Sequence, residues 1–192
     1  MGRPPLAREK ILAAARQIVE RDGAGALTFD ELVKESGITR GGITYHFPTK
    51  EELLRGLLEA DFRQWDDAEA ALTPTDCDPE TARLLAFIRT LTAQDESHRR
   101  FLCGMLSAAT LDPSLMDPCR QELRERLGRK QWTDRDLHLH IIHLAAEGLM
   151  WQELFQMYSM PAPARSRLVA LMEQLARQWG GGPVPKKIAK EA

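Results

Sequence analysis

The stretch TFDELVKESGITRGGITYHFPTKEELL, residues 28–54, carries the signals that decide the fold. Thr28 can cap a helix with its hydroxyl, and Glu31 three residues later completes a capping box. Gly37 then ends that helix, because glycine readily adopts the left-handed backbone of a tight turn. A second short helix is predicted from Thr39 onward. Two short helices joined by a glycine-containing turn, with a third helix packed behind them, indicate a helix-turn-helix unit.

The start of the second short helix has the residues expected of a DNA-reading element. In a helix-turn-helix unit this helix lies in the major groove, and its first side chains reach base edges. Arg40 can bond the O6 and N7 atoms of a guanine there, or it can contact a phosphate. Gly41 and Gly42 each weaken a helix by about 1 kcal/mol relative to alanine, which favours a backbone that approaches something closely. A merely frayed turn is the other explanation of the two glycines.

The segment Ile38–Leu54 resembles the signature of the tetracycline-repressor (TetR) family of bacterial transcription regulators. The family pattern has a small hydroxyl residue, a basic residue, glycine, a variable residue and an aliphatic one, followed by an aromatic cluster and a polar-Ser/Thr-Lys-Glu run. Its most specific part here is the block Tyr-His-Phe-Pro-Thr-Lys-Glu at residues 45–51. Thr44 stands where many members have tyrosine, and the tyrosine of this chain follows one place later. The resemblance is strong over residues 6–58.

The resemblance implies an all-α fold and a set of DNA contacts. The implied contacts are Thr28, Thr39, Arg40, Gly41, Gly42, Thr44, Tyr45, His46 and Lys50. Lys50 is predicted in the first turn of a helix, where a cation opposes the helix dipole unless a phosphate lies over that end. Phe47, by contrast, is interpreted as a core residue.

Apolar residues at helical spacing predict about nine helices and no strand along the chain. Residues 1–48 are interpreted as the helix-turn-helix DNA-binding domain, and residues 49–180 as a helical ligand-binding and dimerisation domain. A disordered tail is predicted for residues 181–192. The helix that begins at Thr49 is predicted to run to about Leu72, so that it joins the two domains.

Residues 137–155 are apolar nearly all round, which predicts a helix that is covered on several sides. The resemblance implies that the last two helices of each subunit form a four-helix dimer interface, and that the other face of the same helix lines a ligand cavity. Glu147 could orient a polar or cationic ligand, or lie exposed at a helix edge, and His143 is a further candidate contact. The large apolar candidates for the cavity wall, each explained equally well as plain core, are Phe62, Trp65, Phe87, Met105, Met150 and Trp151.

Three histidines near residue 140 raise a metal hypothesis. His140 and His143 share a helix face, whereas His138 points elsewhere, and no cysteine or carboxylate pair completes a zinc set. Solvated or interface histidines are preferred, and neither a metal nor another cofactor is predicted. The three cysteines are widely spaced, which indicates reduced thiols. Cys103 lies in an apolar run and is interpreted as a small core residue, with a redox sensor as the alternative.

Composition restricts the functional class. The 192 residues are 43% hydrophobic and 28% charged, as in ordinary globular proteins, and no apolar run is long enough to span a bilayer. The first residues have no apolar segment of a signal peptide, so a cytoplasmic location without membrane contact is expected. Residues 1–50 carry a net charge of +2, from eight Lys or Arg and six Asp or Glu, which suits a polyanionic partner modestly.

No nucleophile elbow, phosphate-binding loop or dinucleotide fingerprint occurs in the sequence, so an enzyme is not expected. The resemblance implies a homodimeric transcription regulator that represses by binding double-stranded operator DNA and that a small-molecule effector releases. The alternatives are a ligand-independent dimeric DNA-binding regulator and a metal sensor.

Overall fold

The computed structural model describes residues 7–181, and within that range all regular structure is helical. The prediction of an all-α fold with about nine helices is confirmed. The α-helices of this range are α1 (Ala7–Asp22), α2 (Phe29–Ser36), α3 (Arg40–His46), α4 (Lys50–Leu72), α5 (Pro79–Thr92), α6 (Glu96–Leu111), α7 (Asp117–Gly128), α8 (Asp134–Leu154) and α9 (Ala162–Gly181). Short 3-10 turns cover Ala24–Ala26 and Pro113–Met116. Of the predicted disordered tail 181–192, Gly181 is instead the last residue of α9, and residues 182–192 lie outside the described residues.

The helix ends of the opening stretch form where the sequence predicts them. The hydroxyl of Thr28 accepts a hydrogen bond from the backbone N–H of Glu31 at 3.2 Å, and Gly37 adopts a φ of 68°. Only half of the predicted capping box forms, because the Glu31 carboxylate pairs with Lys34 at 2.6 Å instead of reaching back. Thr49 caps α4 through the N–H of Glu52 at 3.2 Å. These local hydrogen bonds fix the entry of α2 and α4 independently of tertiary packing.

The chain forms two compact units, each with its own apolar core. The first unit contains the described residues up to Gln64 together with Asp95–Glu125, and the second contains Trp65–Gln94 and the described residues from Arg126 onward. Helices α4 and α7 therefore each contribute residues to both units. The first boundary between the two units lies after Gln64, whereas the predicted domain boundary lies after residue 48. The division into a DNA-binding and a ligand-binding domain at residue 48 stays a prediction.

In the first unit, α1 lies at the centre and packs against α2, α3 and α6. Its buried residues Ile11, Ala15 and Ile18 meet Leu32, and the core continues to Phe101 on α6. Gly104 allows α6 to approach α1 closely, because a Cβ at this position would lie 2.7 Å from Cγ1 of Val19.

The interpretation of Cys103 as a core residue is wrong. Cys103 is exposed, although it lies in the apolar run Phe101–Leu106. The buried residues of α6 are Phe101, Gly104, Met105 and Ala108, which are spaced as one helix face, and Cys103 lies on a different face.

In the second unit, α5, α8 and α9 pack against one another around Leu85, Ile88, Ile142 and Ala146. Gly180 near the end of α9 lies against α5, where a Cβ would be only 1.8 Å from Oγ1 of Thr81. A larger residue fits at this approach only if the Thr81 side chain or the backbone shifts.

Asp78 caps α5 and also anchors α8. Its side chain accepts hydrogen bonds from the backbone N–H groups of Glu80 and Thr81, and from the guanidinium of Arg135 at 2.5 Å. Burial disfavours the Asp78 carboxylate, but the bonds from Thr81 and Arg135 outweigh burial and lower its pKa to about 2. The carboxylate is therefore ionised at neutral pH and holds the starts of both helices.

Two helix boundaries depend on local backbone geometry. Residues 113–116 form a 3-10 turn before α7. Helix α8 ends at Leu154, and Gln156 two residues later has a φ of 50°, which cannot continue a right-handed helix. Among the described residues, no helix is both long and apolar enough to cross a bilayer.

Candidate nucleic-acid interface and ligand pocket

Helix α3 is held by one apolar side and presents its other side to solvent. Ile43 is completely buried and Phe47, the residue that ends the helix, is nearly so, which confirms the core interpretation of Phe47. On the other side Tyr45 is 83% exposed, and Thr39 and Arg40 are also exposed at the first turn. The N-terminal half of α3 can therefore meet a large partner without disturbing the core.

Arg40 is held in place by α2. Its Nη1 lies 2.6 Å from Oδ1 of Asp30, and its guanidinium carbon lies 5.6 Å from the centre of the Phe29 ring. Arg40 and Asp30 are exposed, and at the surface an ion pair contributes about 0–1 kcal/mol. A base or phosphate can therefore displace Asp30 easily, and until then the pair restricts the rotamers of Arg40.

A shallow groove brings together three of the predicted DNA contacts. Thr28, Arg40 and Lys50 line it, with the further lining residues Leu27, Phe29, Asp30 and Leu53. The Nζ of Lys50 lies 3.5 Å from the backbone carbonyl of Gly25, so that the ammonium keeps N–H groups for another acceptor. Two cations beside the N-terminus of α2 form a suitable environment for a phosphate.

Thr44 and His46 have other neighbours. The Thr44 hydroxyl donates to the backbone carbonyl of Arg40 at 3.1 Å, so it is used within the helix. His46 contacts Tyr45 edge to face, with 5.2 Å between ring centres. The assignment of these residues as DNA contacts stays a prediction.

Gly41 and Gly42 differ in their surroundings. A Cβ on Gly42 would lie 2.9 Å from Cγ2 of Ile38 and 3.3 Å from the capping hydroxyl of Thr39, so the packing of the protein itself opposes a side chain there. A Cβ on Gly41 would have no neighbour within 4 Å. The packing of the protein therefore explains why residue 42 is glycine, but it does not explain why residue 41 is.

The second unit contains an open-mouthed pocket built by α4, α5, α7 and α8. Its empty volume is about 550 Å³ when the space at the mouth is included. Its apolar lining residues are Leu84, Phe87, Leu127 and Leu139, and its polar ones are Glu69, Glu80, Arg83, Arg126, Lys130, His140 and His143. Most of the surface of this wall is apolar, although seven of the eleven lining residues are polar, and apolar surface with convergent polar groups is typical of a small-molecule site.

Aromatic rings form one wall of the pocket. The ring of His143 stacks on Phe87 with 4.2 Å between centres, and His140 stacks on His143 at 6.0 Å. Nε2 of His143 lies 3.3 Å from Oε1 of Glu147, and the hydrogen bond from His143 lowers the pKa of that carboxyl. Burial lowers the pKa of His140, and the neighbouring His143 and Lys130 lower it further. Glu147 is therefore ionised and held by His143.

Of the eight residues predicted to contact a ligand, Phe87 and His143 line the pocket and Glu147 bonds to His143. Trp65 and Met150 pack against the core of the second unit, and Trp151 is exposed. Phe62 and Met105 belong to the first unit. All eight assignments stay predictions.

The charged part of the wall was not predicted from the sequence. Arg126 and Lys130 lie at the end of α7 and in the turn after it, on a helix with no fully buried residue. The basic run Arg126-Leu127-Gly128-Arg129-Lys130 was the available signal.

No group of three His, Cys, Asp or Glu side chains within residues 7–181 is arranged to hold a metal ion. His138 lies apart from the other two histidines and packs on Trp179, with 4.9 Å between ring centres. The pair His140 and His143 faces the pocket instead.

Large apolar side chains are exposed along one stripe of α8. The members of this α8 stripe are Leu137, Ile141, Leu144, Trp151 and Phe155. Together with Gly148 between Leu144 and Trp151, they recur alternately every four and three residues. A Cβ on Gly148 would have no neighbour within 4 Å, and Leu171 on α9 is also 48% exposed. Such a contiguous apolar surface is typical of a protein–protein interface.

Sequence models of known families match both parts of the chain. Residues 11–57 match the family described as bacterial regulatory proteins of the tetR family, and residues 81–177 match a tetracyclin repressor-like C-terminal domain. The helix-turn-helix transcriptional regulator LmrA of Bacillus subtilis is 28% identical over 128 residues, which are 65% of this chain and 66% of LmrA. The regulator QacR of Staphylococcus aureus is 35% identical over 60 residues, which are 31% of this chain and 32% of QacR. The chain thus spans about two thirds of the first relative and about a third of the second.

Solved structures share the fold over nearly the whole chain. A transcriptional regulator from Rhodococcus superposes with a TM-score of 0.66 at 19% identity, over 94% of this chain and all of that one. The multidrug binding protein EbrR in complex with malachite green superposes with a TM-score of 0.63 at 18% identity, over 89% of this chain and 98% of EbrR.

Proposed function

This chain belongs to the tetracycline-repressor family of bacterial transcription regulators, and from that premise we propose that it is a dimeric repressor that leaves its operator when a small molecule binds. The observation that carries the proposal is the exposed start of α3. There Arg40 is oriented by Asp30 and lines the same groove as Thr28 and Lys50. Membership of a family of DNA-binding regulators also supports the prediction that the chain is not an enzyme. A repressor acts at the chromosome, which in bacteria lies in the cytoplasm.

The DNA-reading element of the proposal is α3. Thr39, Arg40 and Tyr45 are exposed on it, so that its first turn can enter a major groove. Arg40 would read a base, whereas Lys50 and the amides at the start of α2 would hold phosphates. Phosphate contacts position the protein on the duplex, and the base contact chooses the sequence.

The dimer of the proposal uses the α8 stripe together with α9. In water these exposed apolar side chains gain about 25 cal/mol for each Å² that a second copy covers. Gly148 lies in the middle of the stripe without a side chain, which permits close approach of a partner helix. A two-fold dimer presents two copies of α3 to the two halves of a palindromic operator.

The ligand site of the proposal is the pocket of the second unit. The likeness to EbrR, a multidrug binding protein, supports a ligand-responsive regulator. A ligand can weaken operator binding only if it prefers a form of the dimer whose two α3 helices do not fit the DNA. Helices α4 and α7 contribute residues to both units, and we propose them as the connecting elements.

Selection from a randomised DNA library tests the proposal directly. We expect enrichment of an inverted repeat whose half-sites mirror the two-fold axis of the dimer. Failure to enrich any sequence would contradict a sequence-specific regulator, and enrichment of a single unrepeated half-site would contradict the dimer.

Sedimentation of surface variants tests the dimer independently. Replacing Leu171 or Ile141 with Glu should shift the protein toward monomer and weaken operator binding. The matched control is Leu111→Glu, an equally polar change at an exposed leucine of the first unit. Leu175 is unsuitable for this test, because it packs against the core of the second unit. A Leu171 variant that remains dimeric would place the interface elsewhere.

A further inference from the structure

The pocket of the second unit has more cationic than anionic side chains on its wall. The cationic lining residues are Arg83, Arg126 and Lys130, and the anionic ones are Glu69 and Glu80. Lys130 is already neutralised, because its Nζ forms an ion pair with Glu80 and lies 3.4 Å from a carboxylate oxygen of Asp136. The charge available to a ligand therefore depends on the two arginines.

Arg126 has no acceptor that can satisfy it inside the pocket. Its Nη2 lies 3.5 Å from Nε2 of His143, but the same Nε2 lies 3.3 Å from the carboxylate of Glu147. A ring nitrogen that donates its proton to a carboxylate cannot also accept from a guanidinium. When His143 donates to Glu147, Arg126 lines the pocket without a hydrogen-bond acceptor among residues 7–181.

Arg83 is the second arginine that contributes positive charge to the pocket. Within residues 7–181, no carboxylate oxygen lies within 4.0 Å of the guanidinium nitrogens of Arg83 or Arg126. Arg83 is exposed at the mouth, whereas Arg126 is half-buried, so Arg126 is the stronger anchor. A partly desolvated guanidinium binds a carboxylate with two parallel hydrogen bonds.

The rest of the wall suits a flat apolar body. The stacked rings of Phe87 and His143 form one side, and Leu84 and Leu127 line the space as well. We infer that the effector is an organic anion, with an aromatic or similarly flat apolar body against these rings and a carboxylate or comparable anionic group on Arg126. The inference rests on the proposed function only in naming the ligand an effector.

The electrostatic surroundings of the histidines agree with an anionic ligand. Burial lowers the pKa of His140, and the nearby His143 and Lys130 act in the same direction. Glu147, the carboxylate bonded to the stacked ring of His143, and Glu80, which pairs with Lys130, are both already engaged. A cationic dye such as ethidium, with which EbrR has been crystallised, would meet the positive charge of Arg126 at this wall.

Three probes with one ring system and different charges test the inference. They are 1-naphthoate, 1-naphthylmethanol and 1-naphthylmethylamine, titrated against the full chain by calorimetry without DNA at neutral pH. Naphthoate should bind at least about tenfold more tightly than the alcohol, since a charge-assisted hydrogen bond strengthens binding by that factor or more. The amine should bind more weakly than the alcohol.

A charge-removing variant locates the anion. Arg126→Gln keeps hydrogen-bonding capacity but removes the positive charge, and it should weaken naphthoate binding by at least about tenfold while leaving the alcohol unaffected. Arg129→Gln is the matched control, because it removes the same charge from an exposed neighbour that does not line the pocket. Circular dichroism of both variants confirms that they fold.

The outcomes separate the ligand class from the proposed function. The inference is overturned if the amine binds as tightly as naphthoate, if Arg126→Gln binds naphthoate normally, or if no probe binds at about 1 mM.

Operator release is then measured separately by fluorescence anisotropy. If naphthoate binds but leaves operator affinity unchanged, the anionic site stands and the ligand-responsive repressor fails. If the amine binds and releases DNA, the repressor stands and the anionic class fails.

Discussion

Nη1 of Arg16 lies 2.8 Å from Oδ1 of Asp61, a residue 45 positions later in the chain whose side chain is almost fully buried. The same guanidinium reaches Glu20 at 2.7 Å and Nδ1 of His98 at 3.1 Å, and it lies 4.1 Å above the ring of Phe101. One cation on α1 therefore binds α4 and α6 together inside the first unit.

Replacing Asp61 with Ala should destabilise the protein by about 2 kcal/mol, because it leaves a half-buried guanidinium with one carboxylate fewer. Urea unfolding at neutral pH measures the loss. The control is Glu96→Ala, which removes an exposed carboxylate paired with Arg99 and should lower stability by less than about 1 kcal/mol. Equal losses in the two variants would show that the Arg16–Asp61 pair is energetically no different from a surface pair.

Stability should fall as the pH is lowered through the range where His98 would normally gain a proton. Burial lowers the pKa of His98 in the folded protein, and the carboxylate of Asp61 offsets only part of this effect. The unfolded chain, with a histidine pKa of about 6.5, therefore binds more protons in this range than the folded one. The stabilising contribution is complete above about pH 6.5 and is lost as the pH falls toward the folded pKa.

Unfolding curves at about pH 7.5 and pH 5.5 measure this dependence. His98→Asn, whose amide oxygen can still accept from Arg16, should flatten it. His46→Asn on α3 is the control and should leave the dependence unchanged. A slope that persists in the His98 variant would assign the effect to other groups.

Replacing Arg40 with Ala should weaken operator binding by about 1–3 kcal/mol and relax the choice of one base pair in each half-site, while the fold remains intact. Affinity for the operator and for operators with single base changes measures both effects. Arg63→Ala, at an exposed position on α4, is the control. Unchanged affinity would mean that Arg40 stays with Asp30 in the complex.

Replacing Lys50 with Ala should weaken operator and scrambled DNA about equally, because phosphates carry no sequence information. The slope of log affinity against log salt should flatten by roughly one unit for each lost contact. Fluorescence anisotropy at three salt concentrations gives both values, with Lys34→Ala on α2 as the control, since Lys34 is paired with Glu31. If only operator binding were lost, with an unchanged salt slope, Lys50 would not be a phosphate contact.

The sequence predicted the helix-turn-helix unit well because its signals are local. Thr28, Gly37 and Thr39 act on backbone groups within a few residues of themselves, so their spacing along the chain already determines the geometry. Cys103 was misread for the opposite reason: an apolar run does not reveal how many sides of a helix find a partner. Only the packing of α6 on α1 decides which face is buried.

The charged network and the pocket could not be predicted in this way. Arg16, Asp61 and His98 come from three helices, and a contact between distant polar residues leaves no periodic pattern in the sequence. The pocket likewise depends on Arg126, which lies on a helix without a buried face and meets the rings of Phe87 and His143 only through tertiary packing. The large apolar candidates Phe62 and Met105 contribute to the core of the other unit.

The open space around Gly41 has a consequence for attempts to improve this protein in the laboratory. An alanine there meets no neighbour and should make α3 more stable by up to about 1 kcal/mol. Selection for heat resistance alone would therefore favour that methyl group, on the surface proposed to face the duplex. A Gly41→Ala variant selected for thermal stability would then bind DNA more weakly. A screen for stable variants of this regulator therefore has to measure repression as well as thermal stability.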